Sequence, residues 1–243
     1  MLCCIRACMN LRENKRMTSL QLSVDSKEIQ HTRERISTFG RMLYDRFLTD
    51  AAGGNVSVRV GDLVCLSPRY SGQKRQWHLQ PDDVLVVDMQ GNKLAGAGDL
   101  SRESKVHLRL YHEYPDGASV IHAHPKHVLV FCAARRPIPP VLEATMKFGT
   151  INVTEFAPAH SADLALHVAD GLRGQESRIR KQAAAVIAPW HGLFCIGKDI
   201  DAAFDAVERI DNNARIILES RALLSPAEFD VEMAALNEAM AGH

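Results

Sequence analysis

The stretch from residue 118 to 124, Ala-Ser-Val-Ile-His-Ala-His, limits the possible folds of this chain more than any other. It follows Tyr114-Pro115-Asp116-Gly117, which stops a helix, and it is apolar, rich in β-branched residues and too short to be helical itself. It therefore reads as a strand. Short β-rich runs at 56–60, 63–67 and 84–88, separated by Gly61-Asp62, Ser71-Gly72 and Gly91-Asn92, read as neighbouring antiparallel strands. Residues 183–188 and 193–196 give two more, joined through Pro189-Trp190-His191-Gly192. Between them lie helical patterns. Ile29, Ile36, Phe39, Leu43 and Phe47 recur at helical spacing over 27–48, and Ser101 is placed to cap a helix running through Val106, Leu110 and Tyr111. Further helices are expected over 125–134, 162–172 and 200–223. The implied class is α/β, a mixed and mostly antiparallel central sheet flanked by helices.

A chain of 243 residues can bury one sizeable core, so one domain is expected, over 25–235, with a mobile tail at 1–24 and a short tail at 236–243. Its 29 basic residues balance 29 acidic ones. No overall field draws the chain to a nucleic acid or an anionic membrane, which leaves a small molecule in a local pocket as the expected partner. The apolar start is broken by Arg6 and Asn10, so neither an export signal nor a membrane span is expected. Six cysteines without a regular framework point to a reduced, cytoplasmic protein. Cys3, Cys4 and Cys8 lack the second pair that a thiolate metal clip needs.

His122 and His124 stand two apart on the expected strand, so they project from one face and can share a metal ion. His191 lies in a tight strand connection that can aim its ring back over the sheet, and it is the best candidate for a third nitrogen. Glu103 falls in the first turn of a helix that feeds into the His122 strand, which delivers a carboxylate nearby. The same Glu103 could serve only as a favourable charge at a helix N-terminus, worth less than about 1 kcal/mol. His107, one turn beyond, is either an orienting neighbour of Glu103 or a histidine packed beneath the site.

Gly53-Gly54-Asn55-Val56-Ser57-Val58-Arg59, Leu79-Gln80-Pro81-Asp82-Asp83-Val84, Ser101-Arg102-Glu103 with His107 and Tyr111, Val120-Ile121-His122-Ala123-His124-Pro125 and His191-Gly192-Leu193 together resemble the class II aldolase and adducin family in order and spacing. The resemblance covers roughly Glu28 to Leu223. It implies the family's three-layer α/β/α fold, and a zinc or similar ion (Mn2+, Co2+ or Fe2+) held by His122, His124 and His191, one per subunit. Glu103 would be the base and an occasional fourth ligand. Homotetramers with active sites between subunits are also implied. The activity implied is retro-aldol cleavage of a small ketose phosphate through a metal-stabilised enediolate, as in aldolases of the fuculose-phosphate type. Positions matching Gly54, Asn55, Ser71, Gly72 and Ser101 hold the phosphate in such enzymes. Glycine gives close backbone approach there, and hydroxyls and amides supply donors.

Two positions depart from that pattern. Arg102 stands where sugar-phosphate aldolases usually carry a second serine, which puts a guanidinium suited to phosphate or carboxylate beside the pocket. Glu143 falls where fuculose-phosphate aldolases use a tyrosine of the neighbouring subunit to protonate the leaving aldehyde. A 3-oxo sugar-acid decarboxylase, a thio-sugar-phosphate dehydratase and a pentulose-phosphate epimerase are therefore alternatives within the fold. An adducin-like interaction module is the alternative of another class, and it need not hold a metal.

Overall fold

The apolar stripe read over 27–48 forms helix α1, Lys27–Asp45, opened by the Ser26 hydroxyl, which accepts from the Ile29 amide. The helix stops three residues earlier than expected. Phe47 takes a left-handed φ of 58°, and the Leu48 amide turns back to the Leu43 carbonyl at 2.8 Å. This computed structural model describes residues 23–241, so Cys3, Cys4 and Cys8, and most of the expected N-terminal tail, lie outside the described residues.

The sheet has eight strands: β1 Asn55–Val60, β2 Leu63–Leu66, β3 Leu85–Asp88, β4 Lys93–Ala95, β5 Ser119–Ala123, β6 Asn152–Val153, β7 Ala183–Ala188 and β8 Gly192–Gly197. Their spatial order is β4-β3-β2-β1-β5-β8-β7-β6, antiparallel throughout except for the β6–β7 pair. Six of these strands were legible as apolar runs. The edge strands β4 and β6 were not, being only three and two residues long and largely exposed. The remaining helices are α2 Ser71–Arg75, α3 Ser104–Glu113, α4 Lys126–Ala134, α5 Ala162–Gly171, α6 Glu176–Lys181, α7 Ile200–Ser220 and α8 Pro226–Ala241.

Alternation along the strands divides the core between the two faces of the sheet. Val56 of β1 and Ile121 of β5 join α1, α4 and α7 in one cluster, through Ile36, Val128 and Val207. Val120 of β5 and Phe194 of β8 join α3, α5 and α6 in the other, through Leu110, Val168 and Ile179. The result is a single α/β domain of three layers, as expected. The segment expected as a tail from 236 continues helix α8 to Ala241, because Ala-Ala-Leu-Asn-Glu-Ala-Met-Ala favours helix even where no residue is buried. No described helix is long and apolar enough to cross a membrane.

Candidate active site

Strand register builds the site. Asn55 of β1 pairs directly with His122 of β5, and His122 faces Phe194 of β8 on its other side. Two-residue periodicity puts Asn55, Ser57 and His122 on the face covered by α3. His122 is fully buried, stacked on Phe194 with centroids 4.1 Å apart, and its Nδ1–H donates to the Leu193 carbonyl at 3.0 Å. His124 lies just past the end of β5, and its Nδ1 donates to the Asp50 carboxylate at 3.2 Å. Both Nε2 lone pairs are thereby turned inward, where they stand 3.2 Å apart.

Facing lone pairs repel unless a proton or a cation sits between them. Burial pushes the His122 pKa well below its usual value, against the pull of Glu103, so a proton is disfavoured there. His191 enters from the three-residue β7–β8 connection, whose Trp190 takes a φ of 55° and donates its amide to the Cys132 carbonyl at the end of α4. His191 Nε2 lies 3.0 Å from Glu103 Oε1, and its buried Nδ1 has no hydrogen-bond partner. One ligand atom from each histidine falls within 4.8 Å of the others. Three imidazoles with a carboxylate at hand are a donor set suited to zinc and similar divalent ions.

The backbone around these rings leaves no room for side chains. A Cβ on Gly192 would meet the Ala123 carbonyl and His124 Cδ2, both at 2.7 Å, and one on Gly53 would meet His124 Cε1 at 2.2 Å. The glycine of His191-Gly192 is thus a packing requirement of the histidine cluster.

Glu103 is 5% exposed and sits at the N-cap position of α3. Its Oε2 accepts from Asn55 Nδ2 at 3.0 Å and lies 3.3 Å from His122 Nε2. Burial opposes its charge, but the His122 and His191 rings and the Asn55 amide outweigh that effect and hold the carboxyl below its usual range. The helix does not begin at Ser101 as expected. Ser101 Oγ instead accepts from the Glu103 amide and from Asn55 Nδ2, each at 3.3 Å, so the serine ties the turn before α3 to β1.

Residues 34–218 match the family described as the Class II Aldolase and Adducin N-terminal domain. The chain belongs to this family. This class II aldolase-family chain is 29% identical over 177 residues, 72% of its length and 90% of the relative's, to an L-fuculose phosphate aldolase of Methanococcus maripaludis. It is 26% identical over 194 residues, 76% of its length and 85% of the relative's, to a 3-oxo-tetronate 4-phosphate decarboxylase of Haemophilus influenzae. A solved L-fuculose 1-phosphate aldolase superposes with a TM-score of 0.71 at 24% identity, covering 87% of this chain and 97% of the other, and that likeness supports the fold.

In the class II aldolase-family chain one cavity of about 300 Å³ gathers most of the expected site. Gly54, Asn55, Ser71, Gly72, Ser101 and Arg102 line it together with Glu103, His122, His124 and His191. Ser71 is buried and donates its hydroxyl to the Pro68 carbonyl at 2.6 Å. Arg102 is exposed at the rim. Glu143 is not brought in: it is exposed at the start of a 3-10 turn, Glu143–Phe148, and does not line the cavity of its own subunit.

Arg69, Tyr70 and His160 also line the cavity and were missed. Arg69 lies over the Tyr70 ring, 4.5 Å from its centroid. His160 Nδ1 is buried without a hydrogen-bond partner, 3.6 Å from Glu103 Oε1, on a backbone held at a φ of 69°. Burial lowers its pKa; the Glu103 charge opposes that, and Arg102, His191 and Arg69 add to it. A positive φ on a non-glycine residue in a cleft is a mark of function, but it has no sequence signature.

Proposed function

We propose that this chain is a metal-dependent carbon–carbon lyase that cleaves a small ketose phosphate by retro-aldol reaction. The observation that carries this reading is the convergence of His122, His124, His191 and Glu103 in one cavity that Gly54, Gly72, Ser101 and Arg102 also line. A divalent ion held by the three histidines supplies Lewis-acid stabilisation of charge developing on a substrate carbonyl oxygen. Gly54, Gly72, Ser101 and Arg102 orient the phosphate. Cleavage removes a proton from the hydroxyl β to the carbonyl; the carbon–carbon bond breaks, an aldehyde leaves, and the remaining carbon is protonated to give the shorter ketone. Glu103 moves the proton at that carbon, being buried, charged and within reach of the cavity. The chain works as a cytoplasmic homotetramer in which Glu143 of a neighbouring copy serves the leaving aldehyde.

A second reading, decarboxylation of a 3-oxo sugar-acid phosphate, is favoured by one observation: Arg69 as well as Arg102 borders the cavity, so a carboxylate could be held alongside a phosphate. Incubating the zinc-loaded protein with a panel of ketose phosphates and phosphorylated 3-oxo acids, with products weighed by mass spectrometry, separates the two. Aldehyde plus a phosphorylated ketone supports the lyase, and carbon dioxide release supports the decarboxylase. If no substrate turns over and elemental analysis finds well under one ion per chain, both fail and an adducin-like binding role takes their place.

A further inference from the structure

We infer that His160 is a positioning residue for Glu103: its Nδ1–H takes over Glu103 Oε1 when His191 gives its Nε2 to the metal ion. The inference rests on the metal site and on the acid–base role proposed for Glu103.

It starts from an incompatibility at one atom. Glu103 Oε2 is held by Asn55 Nδ2 at 3.0 Å, whereas Oε1 has His191 Nε2, also at 3.0 Å. A carboxylate can only accept, so His191 meets Oε1 as an N–H donor. A nitrogen that ligates an ion turns its lone pair to it and carries no hydrogen. His191 Nε2 therefore serves either the carboxylate or the ion. When it serves the ion, the proton lost at Nε2 is matched by one taken up at Nδ1, and the ring stays neutral. Oε1 is then a buried, charged oxygen without that donor, which is costly unless another replaces it.

His160 supplies the replacement. Its Nδ1 is buried, lacks a hydrogen-bond partner and lies 3.6 Å from Oε1, just beyond hydrogen-bond reach. Among the described residues, no lysine or arginine nitrogen comes as near that oxygen. The charged ring bears hydrogen on both nitrogens, and in the neutral ring the facing carboxylate favours the tautomer with hydrogen on Nδ1. Nδ1 is a donor in either state.

The fold presents this ring firmly. The Ser161 amide donates to the Pro158 carbonyl at 3.2 Å and closes a turn whose third residue is His160, at a φ of 69° where glycine or asparagine is usual. Ser161 caps α5, accepting from the Leu164 amide at 3.0 Å, and α5 packs through Leu164 and Val168 in the cluster that holds Leu110 and Tyr111 of α3. His160 thus stands one residue before the cap of a helix packed on the helix whose N-cap position is Glu103. The turn by itself favours glycine, and the imidazole is what the backbone strain retains.

Long-range 1H–15N NMR of histidine-labelled wild type during a zinc titration reads the exchange directly. With zinc, the His160 Nδ1–H proton should move downfield and become protected from solvent exchange, while the His191 proton passes from Nε2 to Nδ1. An unchanged His160 signal, or a His160 ring with its hydrogen on Nε2 alone, overturns the inference. Two variants separate the donor from the turn. His160→Gly suits the positive φ but removes the donor, so kcat should fall about tenfold at little changed KM, whereas a purely structural role predicts no loss. His160→Asn also tolerates that φ and keeps a donor near the Nδ1 position, so it should recover most of the loss. Full turnover in His160→Gly, or equal loss in both variants, overturns the inference as well. Zinc-dependent His160 signals in a wild type that cleaves nothing on the panel sink the proposed reaction alone, and a chain that takes up no zinc loses the metal site and this inference together.

Discussion

Glu103 occupies the position from which a carboxylate usually caps a helix, yet its oxygens turn away from the α3 amides toward Asn55, His122 and His191. That orientation supports the acid–base role proposed for Glu103. Glu103→Gln should keep the ion on the three histidines and lose about two orders of magnitude in turnover, the usual scale for a positioned acid or base. Near-normal steady-state turnover in that variant removes Glu103 from the mechanism. Gly192→Ala is expected to weaken zinc affinity by about tenfold or more, since the new methyl group meets both His124 and the Ala123 backbone at 2.7 Å. Competition with a chromogenic chelator measures it, and unchanged affinity would show that the cluster yields easily. Arg102→Ala should raise KM roughly ten- to a hundredfold, the scale of one charge-assisted contact. An unchanged KM with metal still bound would make Arg102 an ordinary surface residue. The histidine pair was legible because a strand's two-residue period converts spacing into direction. His160 and Arg69 were not, because loops carry no period, and only packing brings His160 to Glu103 and Arg69 to the same cavity.

At the scale of elements, apolar periodicity located what buries a face and missed what does not. Strands β5, β7 and β8 are buried along their whole length, and their runs were read close to their bounds. Helix α8 has no fully buried residue and only half-buries Phe229, Met233, Leu236 and Met240, a stripe that exposed Val231 blurs. The start of α3 was misplaced because Ser101 has the composition of a cap but uses its oxygen to join the preceding turn to β1. A cap invisible to local sequence does exist elsewhere. Asp211, from the middle of α7, accepts from the His127 and Val128 amides at 2.9 and 3.1 Å and from His127 Nδ1 at 2.8 Å, closing the N-terminus of α4 from another element. Asp211→Ala should therefore cost about 1 to 3 kcal/mol, seen as a lower midpoint in urea at unchanged slope. An unchanged midpoint would mean that water replaces the carboxylate without loss.

At the scale of the whole molecule, two large aromatic side chains stand exposed near the site. Phe156 and Trp190 are 54% and 57% exposed and meet edge to face at 5.3 Å, and Trp190 precedes His191 in the chain. A bordering aromatic pair of this kind suits coverage by a second copy. Sedimentation should give a tetramer, and Trp190→Glu should shift it to smaller species; a wild-type monomer at micromolar concentration would exclude any part for Glu143. The cross-strand pairing of Asn55 with His122 has a further consequence, in time. The seam between β1 and β5 joins a β1–β4 half to a β5–β8 half, and the bond that orients His122 spans 71 residues. Contacts this distant form late, because the chain must close long loops before they are rewarded. A chain halted before Leu193 has the sequence of strand β5 but lacks the carbonyl that accepts from His122 Nδ1. The candidate site is thus a product of the closed sheet, complete only with β8 beside β5.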